Sequence, residues 1–317
     1  MPVSKVPDAL RDLWSQTEHG DPSGSGIVHN YRAVQSNLIL HFGLRTQRDE
    51  ARNILDHALE FAGRYPCRII CLCPSERAGE HLLRGKLFSQ CLLSGGGGHP
   101  VCSEALMLGY SLEDSRFLEH QVSIWLESDL PTYHWFHKVP AERIRDCYMP
   151  FLKMVTRATY DSSLEGGEDL SGIDWPCPRG ARDLAEARML HVRQGLGQIL
   201  SGFGIGELLG GLVSVRTSHG PGKSGEAKAL DQWMGDCIDT ASIDHEVLRS
   251  VDGMPGLEGI RCVWKYVGDP TKVLDLELLP DLSRGNLTID VGRGRKTFPL
   301  QMKAPSPALA LSEALYF

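Results

Sequence analysis

The side chains of this chain that could support chemistry begin with two close pairs of potential metal ligands. Cys71 and Cys73 lie two residues apart, and His134 and His137 lie three apart. On a strand the two cysteines share a face, whereas the two histidines point to opposite faces. A structural zinc site needs four ligands with chelating spacing, so the sequence predicts no metal. Buried, reduced thiols are the default interpretation of the nine cysteines, with redox control through Cys71 and Cys73 as an alternative.

Two glycine-rich stretches invite comparison with phosphate-binding loops. Residues 220–224 read Gly-Pro-Gly-Lys-Ser, but the upstream glycine of the P-loop pattern is missing. Residues 202–206 read Gly-Phe-Gly-Ile-Gly, which lacks the spacing of the dinucleotide fingerprint and precedes a predicted strand instead of following one. Both stretches are interpreted as loops, and the sequence predicts no cofactor.

A third group, Asp161-Ser-Ser163, follows a predicted strand. This position is the carboxyl edge of the predicted sheet, where open α/β folds bind ligands, although a turn capped by its own side chains explains the same residues. No Gly-x-Ser-x-Gly nucleophile elbow lies between a strand and a helix in the first half of the chain. The residues therefore give no catalytic constellation that stands on its own. An α/β enzyme or sensor that binds a sugar phosphate or nucleotide at this edge is kept as an alternative function.

The stretch at 129–137, Asp-Leu-Pro-Thr-Tyr-His-Trp-Phe-His, is the element around which the first half is organised. As a strand it carries large rings on both faces, which is typical of a central strand covered by helices on each side. Asp129 and Pro131 stand at its entrance, where a missing backbone N–H is tolerated.

The neighbouring patterns predict a parallel sheet. A strand over 37–42, a helix with Thr46 as its N-cap and an apolar strand over 69–73 form a βαβ unit. Further elements are then predicted in order. They are a strand over 101–110, an amphipathic helix over 112–128, a helix near 141–153 and a strand over 154–158.

A break rich in glycine, serine and proline at 164–178 separates this part from a second one. The second part is predicted to begin with a helix over 180–200, a strand over 212–216 and a polar loop over 217–225. A helix beginning at Ser224 follows, and its predicted buried residues are Ala227, Leu230, Met234, Cys237 and Ile238. Antiparallel strands over 260–267, 273–279 and 287–291, an edge strand containing Pro299 and a helix over 308–315 complete the prediction.

These patterns predict an α/β fold, with an N-terminal mostly parallel sheet flanked by helices and a C-terminal α+β domain ending in antiparallel strands. The predicted boundaries are 1–28 for a flexible N-terminal tail outside the core, 29–170 for the α/β domain and 171–317 for the α+β domain.

Composition excludes several classes of protein. The 317 residues include 33 basic and 40 acidic side chains, a net charge of −7, and no long basic run, which argues against a nucleic-acid partner. No apolar stretch reaches the roughly 18 residues of a membrane span, and the N-terminus does not resemble a signal peptide. The sequence thus predicts no membrane partner and a cytoplasmic location.

Five short stretches, in order, are similar to segments of one known family. They are Tyr65-Pro-Cys-Arg68, Cys102-Ser-Glu104, Asp129-Leu-Pro-Thr-Tyr-His-Trp-Phe136, Tyr160-Asp-Ser-Ser163, and Asp174-Trp175 with Arg179 and Arg182. Their order and rough spacing between residues 30 and 200 resemble the OpcA family of glucose-6-phosphate dehydrogenase assembly proteins. Tyr65 stands where the family has His and Phe136 where it has a second Trp.

The resemblance implies a protein without chemistry of its own, which helps to assemble or allosterically activates glucose-6-phosphate dehydrogenase in the oxidative pentose phosphate pathway. It implies that enzyme as the partner. The candidate partner-binding residues are Asp129, Pro131, His134, Trp135, Asp161, Ser162, Trp175, Arg179 and Arg182.

Overall fold

The computed structural model describes residues 5, 6, 8, 9, 12, 34–76, 84–92, 101–164, 170–241, 245–269 and 271–317, with the backbone alone for 88–92 and 101–104. By their contacts, the described residues divide into two units. The first holds those up to Asp161, those from 170 to Arg182, and Pro307–Phe317, and the second holds the others. The predicted boundary after residue 170 thus lies within a segment that belongs to the first unit, and the domain limits stay a prediction.

The first unit is built on a sheet that has seven strands in the described part of the chain. The strands are β1 (Ser36–Phe42), β2 (Cys67–Ser75), β3 (Arg84–Leu92), β4 (Val101–Ser111), β5 (Thr132–His137), β6 (Arg157–Tyr160) and β7 (Ala181–Asp183). Their order is β3-β4-β2-β1-β5-β6-β7. The pairs β4/β2, β2/β1, β1/β5 and β5/β6 are parallel and β3/β4 is antiparallel, which confirms the predicted mostly parallel sheet.

The central position of the 129–137 stretch is confirmed. All six residues of β5 are buried, as are all seven of β1, and the register places Ile39 opposite His134 and His41 opposite Phe136. A strand buried on both faces favours apolar or ring-bearing side chains, and β5 supplies five rings among its six residues.

Helices of the first unit begin and end differently from the predictions in several places. The first, α1 (Arg48–Arg64), starts after Gln47, and Glu50 at its third position reaches back to the Gln47 N–H, so Thr46 is not the cap. The predicted helix over 112–128 is a 3₁₀ turn (Leu112–Phe117) followed by the short α2 (Leu118–Ser123). Ser111 donates to the buried carboxylate of Asp114 at 2.6 Å, which fixes the tighter turn.

The helical segment after β5 consists of α3 (Ala141–Arg143), a π turn (Ile144–Tyr148) and α4 (Met149–Leu152). Pro150 has no N–H to continue the regular pattern, which accounts for the wider turn before it. The C-terminal helix α9 (Pro307–Tyr316) packs against α1 and β6, within the first unit. Val6, inside the predicted tail, is fully buried in the core of this unit, which that prediction did not expect. The rest of the tail lies almost wholly outside the described residues.

The second unit has a six-stranded sheet in its described part, with the order β13-β12-β11-β10-β8-β9. Its elements are α5 (Leu184–Arg188), α6 (Leu190–Leu200), α7 (Ile205–Leu209), β8 (Leu212–His219), α8 (Ser224–Thr240), β9 (Leu248–Gly253), β10 (Ile260–Tyr266), β11 (Val273–Leu278), β12 (Arg284–Asp290) and β13 (Lys296–Gln301). The β8/β9 pair is parallel and the other pairs are antiparallel. Pro299 lies in an edge strand, as predicted.

Several predictions for the second unit were wrong. The predicted helix over 180–200 begins as β7 and breaks at Met189 between α5 and α6. The glycine-rich stretch at 202–211 contains α7, and β8 continues to His219 into the predicted loop. Cys237 is exposed on α8, whereas Ala227, Leu230, Met234 and Ile238 are buried as predicted. In the described part of the chain, no helix has the length and apolar character that a membrane crossing requires.

Candidate functional site

The polar centre of the first unit lies where β1 and β5 run side by side. The register of these strands sets His41 and His134 close together, with His41 Nδ1 3.2 Å from His134 Nε2. The His41 Nε2 atom lies 2.7 Å from the Tyr110 hydroxyl, which lies 2.8 Å from the Tyr148 hydroxyl. We call these four side chains the histidine–tyrosine network. All four are buried.

Aromatic rings enclose the histidine–tyrosine network. The His134 ring stacks on Phe136 with centroids 4.0 Å apart, and the Phe151 ring meets it edge-on at 5.3 Å. These contacts explain why the alternating rings of β5 are needed on this face. They also leave the second ring nitrogen of His134, Nδ1, buried without a hydrogen-bond partner.

Burial keeps the network uncharged. It lowers the pKa of His41 to about 3, and together with the neighbouring His41 it lowers the pKa of His134 well below the usual value. Burial also raises the pKa of Tyr110 and of Tyr148. A general acid or base works best with a pKa near the operating pH and within reach of a substrate. Neither condition holds here, so this geometry serves cohesion of the sheet.

The direction of the hydrogen bonds can be inferred from the unpaired atom. If His134 Nε2–H donates to His41, then His41 Nε2–H donates to Tyr110 and Tyr110 donates to Tyr148. His134 Nδ1 is then an unprotonated acceptor. The reverse order would leave an unpaired N–H at Nδ1. Because a buried N–H without a partner is rare in folded proteins, the first order is favoured.

We predict that Tyr110→Phe lowers the free energy of unfolding by about 1–3 kcal/mol for each of the two groups that it leaves unpaired, His41 Nε2 and Tyr148 OH. Tyr148→Phe is the matched control. This variant removes only the last hydroxyl of the hydrogen-bonded series and leaves the Tyr110 hydroxyl in contact with His41, so the free energy of unfolding should fall by less. Urea unfolding of both variants measures the difference. Equal losses would contradict the inferred network.

A second polar cluster lies at the carboxyl edge of the sheet. The Glu50 Oε1 atom lies 3.2 Å from His137 Nε2 and 2.5 Å from Lys138 Nζ. Burial acts to raise the pKa of Glu50, but the hydrogen bonds from Lys138 and His137 outweigh it and lower the pKa. Burial lowers the pKa of His137 despite the nearby carboxylate. The cluster ties the first turn of α1 to the end of β5.

The cysteine pair does not have the character of a reactive couple. Cys71 is fully buried, and burial raises the pKa of its thiol far above the usual value. Burial also raises the pKa of Cys73 to about 11. Since the thiolate is the reactive form, both side chains are poor nucleophiles near neutral pH. Among the described side chains, no group of three or more His, Cys, Asp or Glu residues is arranged to hold a metal ion.

In the second unit, the start of α8 carries its own negative charge. The buried Glu226 carboxylate accepts hydrogen bonds from Arg188 Nε at 2.9 Å and from the Ser163 hydroxyl, and Lys223 Nζ lies 3.7 Å from it. A helix N-terminus attracts anions, and the first turn of α8 already contains this carboxylate. Lys223 of the stretch at 220–224 therefore has a negative charge of the protein itself beside it.

The structure does not bring the predicted site residues of the first unit together at one place. Asp129 and Pro131 are exposed before β5, at the amino edge of the sheet. His134 and Trp135 are buried within it. Asp161 follows β6 at the carboxyl edge and is also buried.

The remaining predicted residues follow β6. The Trp175 ring stacks on Tyr160 with centroids 5.9 Å apart and lies 6.0 Å from Phe136. Arg179 and Arg182 are exposed beside the amino end of β6 and along β7. Ser162 belongs to the second unit, where its N–H donates to the Asp183 carboxylate at 3.1 Å.

Sequence reasoning missed His41, Tyr110, Tyr148 and Arg157. The signal for His41 was its place in an apolar strand, Leu38-Ile-Leu-His-Phe42. A histidine inside a fully buried strand needs a polar partner. Arg157 carried no comparable signal, because its contacts are with a helix at the other end of the chain.

The fold and its polar centre define a class: a two-unit α/β protein whose first sheet encloses its histidines and tyrosines away from solvent. Residues 58–171 match the OpcA glucose-6-phosphate dehydrogenase assembly family, through a model described as "Glucose-6-phosphate dehydrogenase subunit N-terminal domain". The matched segment runs from the second half of α1 through β6. It includes the first four of the five stretches that resemble the family, and it supports the assignment of the chain to that family. No curated protein and no solved structure matches the chain.

Proposed function

We propose that the protein is a non-catalytic partner of a glucose-6-phosphate dehydrogenase, which it helps to assemble and activates allosterically. The observation that carries this proposal is the family match over residues 58–171. The enclosure of the histidine–tyrosine network supports it, because the side chains of the sheet centre best suited to proton transfer are closed to a substrate.

Activation by binding has a thermodynamic requirement. The protein must bind the active conformation or oligomer of the dehydrogenase more tightly than the inactive one, since equal affinity for both would shift nothing. Typical coupling free energies of about 1–3 kcal/mol change an affinity by roughly 5- to 150-fold. A moderate preference expressed at one surface is therefore enough.

We divide the nine candidate residues by their burial into proposed direct contacts and proposed supporting residues. Asp129, Pro131, Arg179 and Arg182 are exposed and can touch a partner without any change of fold. Trp175 is half-buried and can present one edge of its ring. The other four candidates would act by supporting this surface.

The test is to mix the purified full-length chain with its cognate dehydrogenase and to measure both the steady-state kinetics and the mass of the complex. We expect co-elution and a higher rate at limiting substrate. The control is the same chain after heat denaturation, which should change neither quantity. Unchanged kinetics, together with separate elution of the two proteins, would contradict the proposal.

The same preparation can test the rival class of function. A melting temperature that rises with glucose 6-phosphate or a nicotinamide nucleotide, in the absence of the dehydrogenase, would favour a metabolite sensor or enzyme. We expect no such rise. Turnover of either metabolite by the isolated chain would contradict the proposed non-catalytic role directly.

A further inference from the structure

A group of three arginines lies at β6 and β7 in the first unit. Arg157 begins β6, and the positive charges of Arg182 and Arg179 act on it. Arg179 N–H donates to the Thr156 carbonyl at 3.0 Å, which holds the loop before β7 next to the start of β6. Arg179 and Arg182 are exposed, whereas only 7% of Arg157 is exposed.

Among the described residues, this arginine group has no carboxylate as counter-ion. Arg157 Nη1 donates to the carbonyls of Ala314 and Leu315 near the end of α9, at 3.2 and 3.1 Å, while its Nε is buried without a hydrogen-bond partner. Within the described part of the chain, no carboxylate forms an ion pair with any of the three arginines. Like charges held close together repel one another, and for Arg157 the carbonyls at the negative end of α9 offset this repulsion.

Three tyrosine rings pack beside Arg157, of which Tyr133 is buried and Tyr65 and Tyr316 are partly exposed. The Tyr133 ring meets Tyr316 edge-on with centroids 5.5 Å apart, and Tyr316 lies 5.1 Å from Tyr65. Tyr133 sits next to Arg157 in the β5/β6 register. We define the arginine–tyrosine face as Tyr65, Tyr133, Arg157, Arg179, Arg182 and Tyr316.

The composition of this face favours a protein over a small ligand. Arginine and tyrosine are among the residue types most enriched at the energetic centres of protein interfaces. Small anions are more often held in concave sites, whereas Arg179 and Arg182 are exposed to solvent. The local positive charge also contrasts with the net charge of −7 of the whole chain, so it would attract an acidic surface.

We propose that the arginine–tyrosine face docks an acidic segment of the partner protein, whose aspartate or glutamate carboxylates accept hydrogen bonds from Arg179 and Arg182. Guanidinium and carboxylate groups pair in a bidentate geometry that gives orientation as well as affinity. This inference rests on the proposed function for the identity of the partner, and it adds the chemistry of the contact.

The experiment compares two charge-reversal variants of the full-length chain. Arg179→Glu/Arg182→Glu removes the exposed arginines of the face, and Arg48→Glu/Arg52→Glu makes the same change of net charge on exposed positions of α1. Two probes are used, the cognate dehydrogenase and a fluorescently labelled octaglutamate peptide at low salt. Melting temperatures establish that both variants fold.

We expect the Arg179→Glu/Arg182→Glu variant to bind both probes at least about tenfold more weakly than wild type. The α1 variant should stay within about twofold, and wild-type affinity should fall as salt is raised. Inorganic phosphate should not displace the peptide at millimolar concentration. Displacement by phosphate would overturn the proposal in favour of a phosphate site.

The two proposals fail in different ways. Wild-type affinity for the dehydrogenase in the Arg179→Glu/Arg182→Glu variant would overturn the docking face and leave the proposed function intact. Binding of the peptide but not of the dehydrogenase would leave the acidic-segment chemistry intact and remove the proposed partner. Binding of neither probe by the wild-type chain would overturn both.

Discussion

Lowering the pH from about 7 to about 4.5 is expected to destabilise the folded protein steeply, because His41 and His134 are held neutral in its core. In the unfolded chain both histidines have ordinary pKa values and bind protons below about pH 6.5. In the folded chain burial lowers the pKa of His41 to about 3 and that of His134 well below the usual value. The unfolded state therefore binds more protons throughout this window, and stability falls as the pH falls.

In the pH range where a histidine is protonated only in the unfolded state, each buried neutral histidine makes the free energy of unfolding fall by about 1.4 kcal/mol for each unit by which the pH is lowered. Urea unfolding at a series of pH values measures the total slope, which also includes the carboxylates. The variant His134→Gln isolates one histidine, since its amide can occupy the position of Nε2 opposite His41. Its slope should be smaller by about 1.4 kcal/mol per pH unit. Superimposable pH profiles for wild type and variant would contradict the buried neutral pair.

The sequence predicted the sheet of the first unit because its signals are local. The stretch at 129–137 has rings on both faces, and the βαβ unit before it has short connections, so both follow from residues close together in the chain. The predicted helices were less accurate at their ends. Gln47 caps α1 in place of Thr46, and a 3₁₀ turn replaces the start of the helix predicted over 112–128.

What the sequence could not show depends on contacts between distant parts of the chain. Arg157 is buried only because α9 folds back onto α1 and β6, and its bonds span 157 and 158 residues. The tyrosine partner of His41, Tyr110, lies on β4, and the partner of Tyr110, Tyr148, lies on the π turn before α4. β9 was missed because its residues are half or fully exposed and do not alternate.

The candidate site shows the same limit. Arg179 and Arg182 were identified through the family resemblance, and they are exposed as a contact would require. Arg179 and Arg182 lie near Arg157 because residues 179–182 hydrogen-bond to β6 and to Thr156 before it, and Tyr316 joins them through the packing of α9, which no local pattern predicts. Asp129 and Pro131 lie at the same amino edge as the start of β6, whereas Asp161 lies at the opposite edge. Measuring the affinity of the dehydrogenase for single variants at each edge can therefore show which edge of the sheet contacts the partner.

Gly43→Ala is expected to cost about 3 kcal/mol or more of the free energy of unfolding, because there is no space for a Cβ at this position. Gly43 follows β1, and its N–H donates to the His137 carbonyl at 2.8 Å. An added Cβ would lie 1.7 Å from the Lys138 carbonyl oxygen and 2.4 Å from its carbon. These are backbone atoms, so relief of the clash requires β1 and β5 to separate at their carboxyl ends.

The backbone of Lys138 cannot easily turn away, because it already has a positive φ of 55° and its side chain is paired with Glu50. Gly109→Ala is the matched control in the same sheet. The nearest atom to its added Cβ is the Arg84 carbonyl oxygen at 3.8 Å, an ordinary contact, so a change of no more than about 1 kcal/mol is expected. Urea unfolding and thermal melting of both variants measure the difference. If Gly43→Ala were as stable as Gly109→Ala, the close approach of β1 and β5, on which the position of His134 depends, would be wrong.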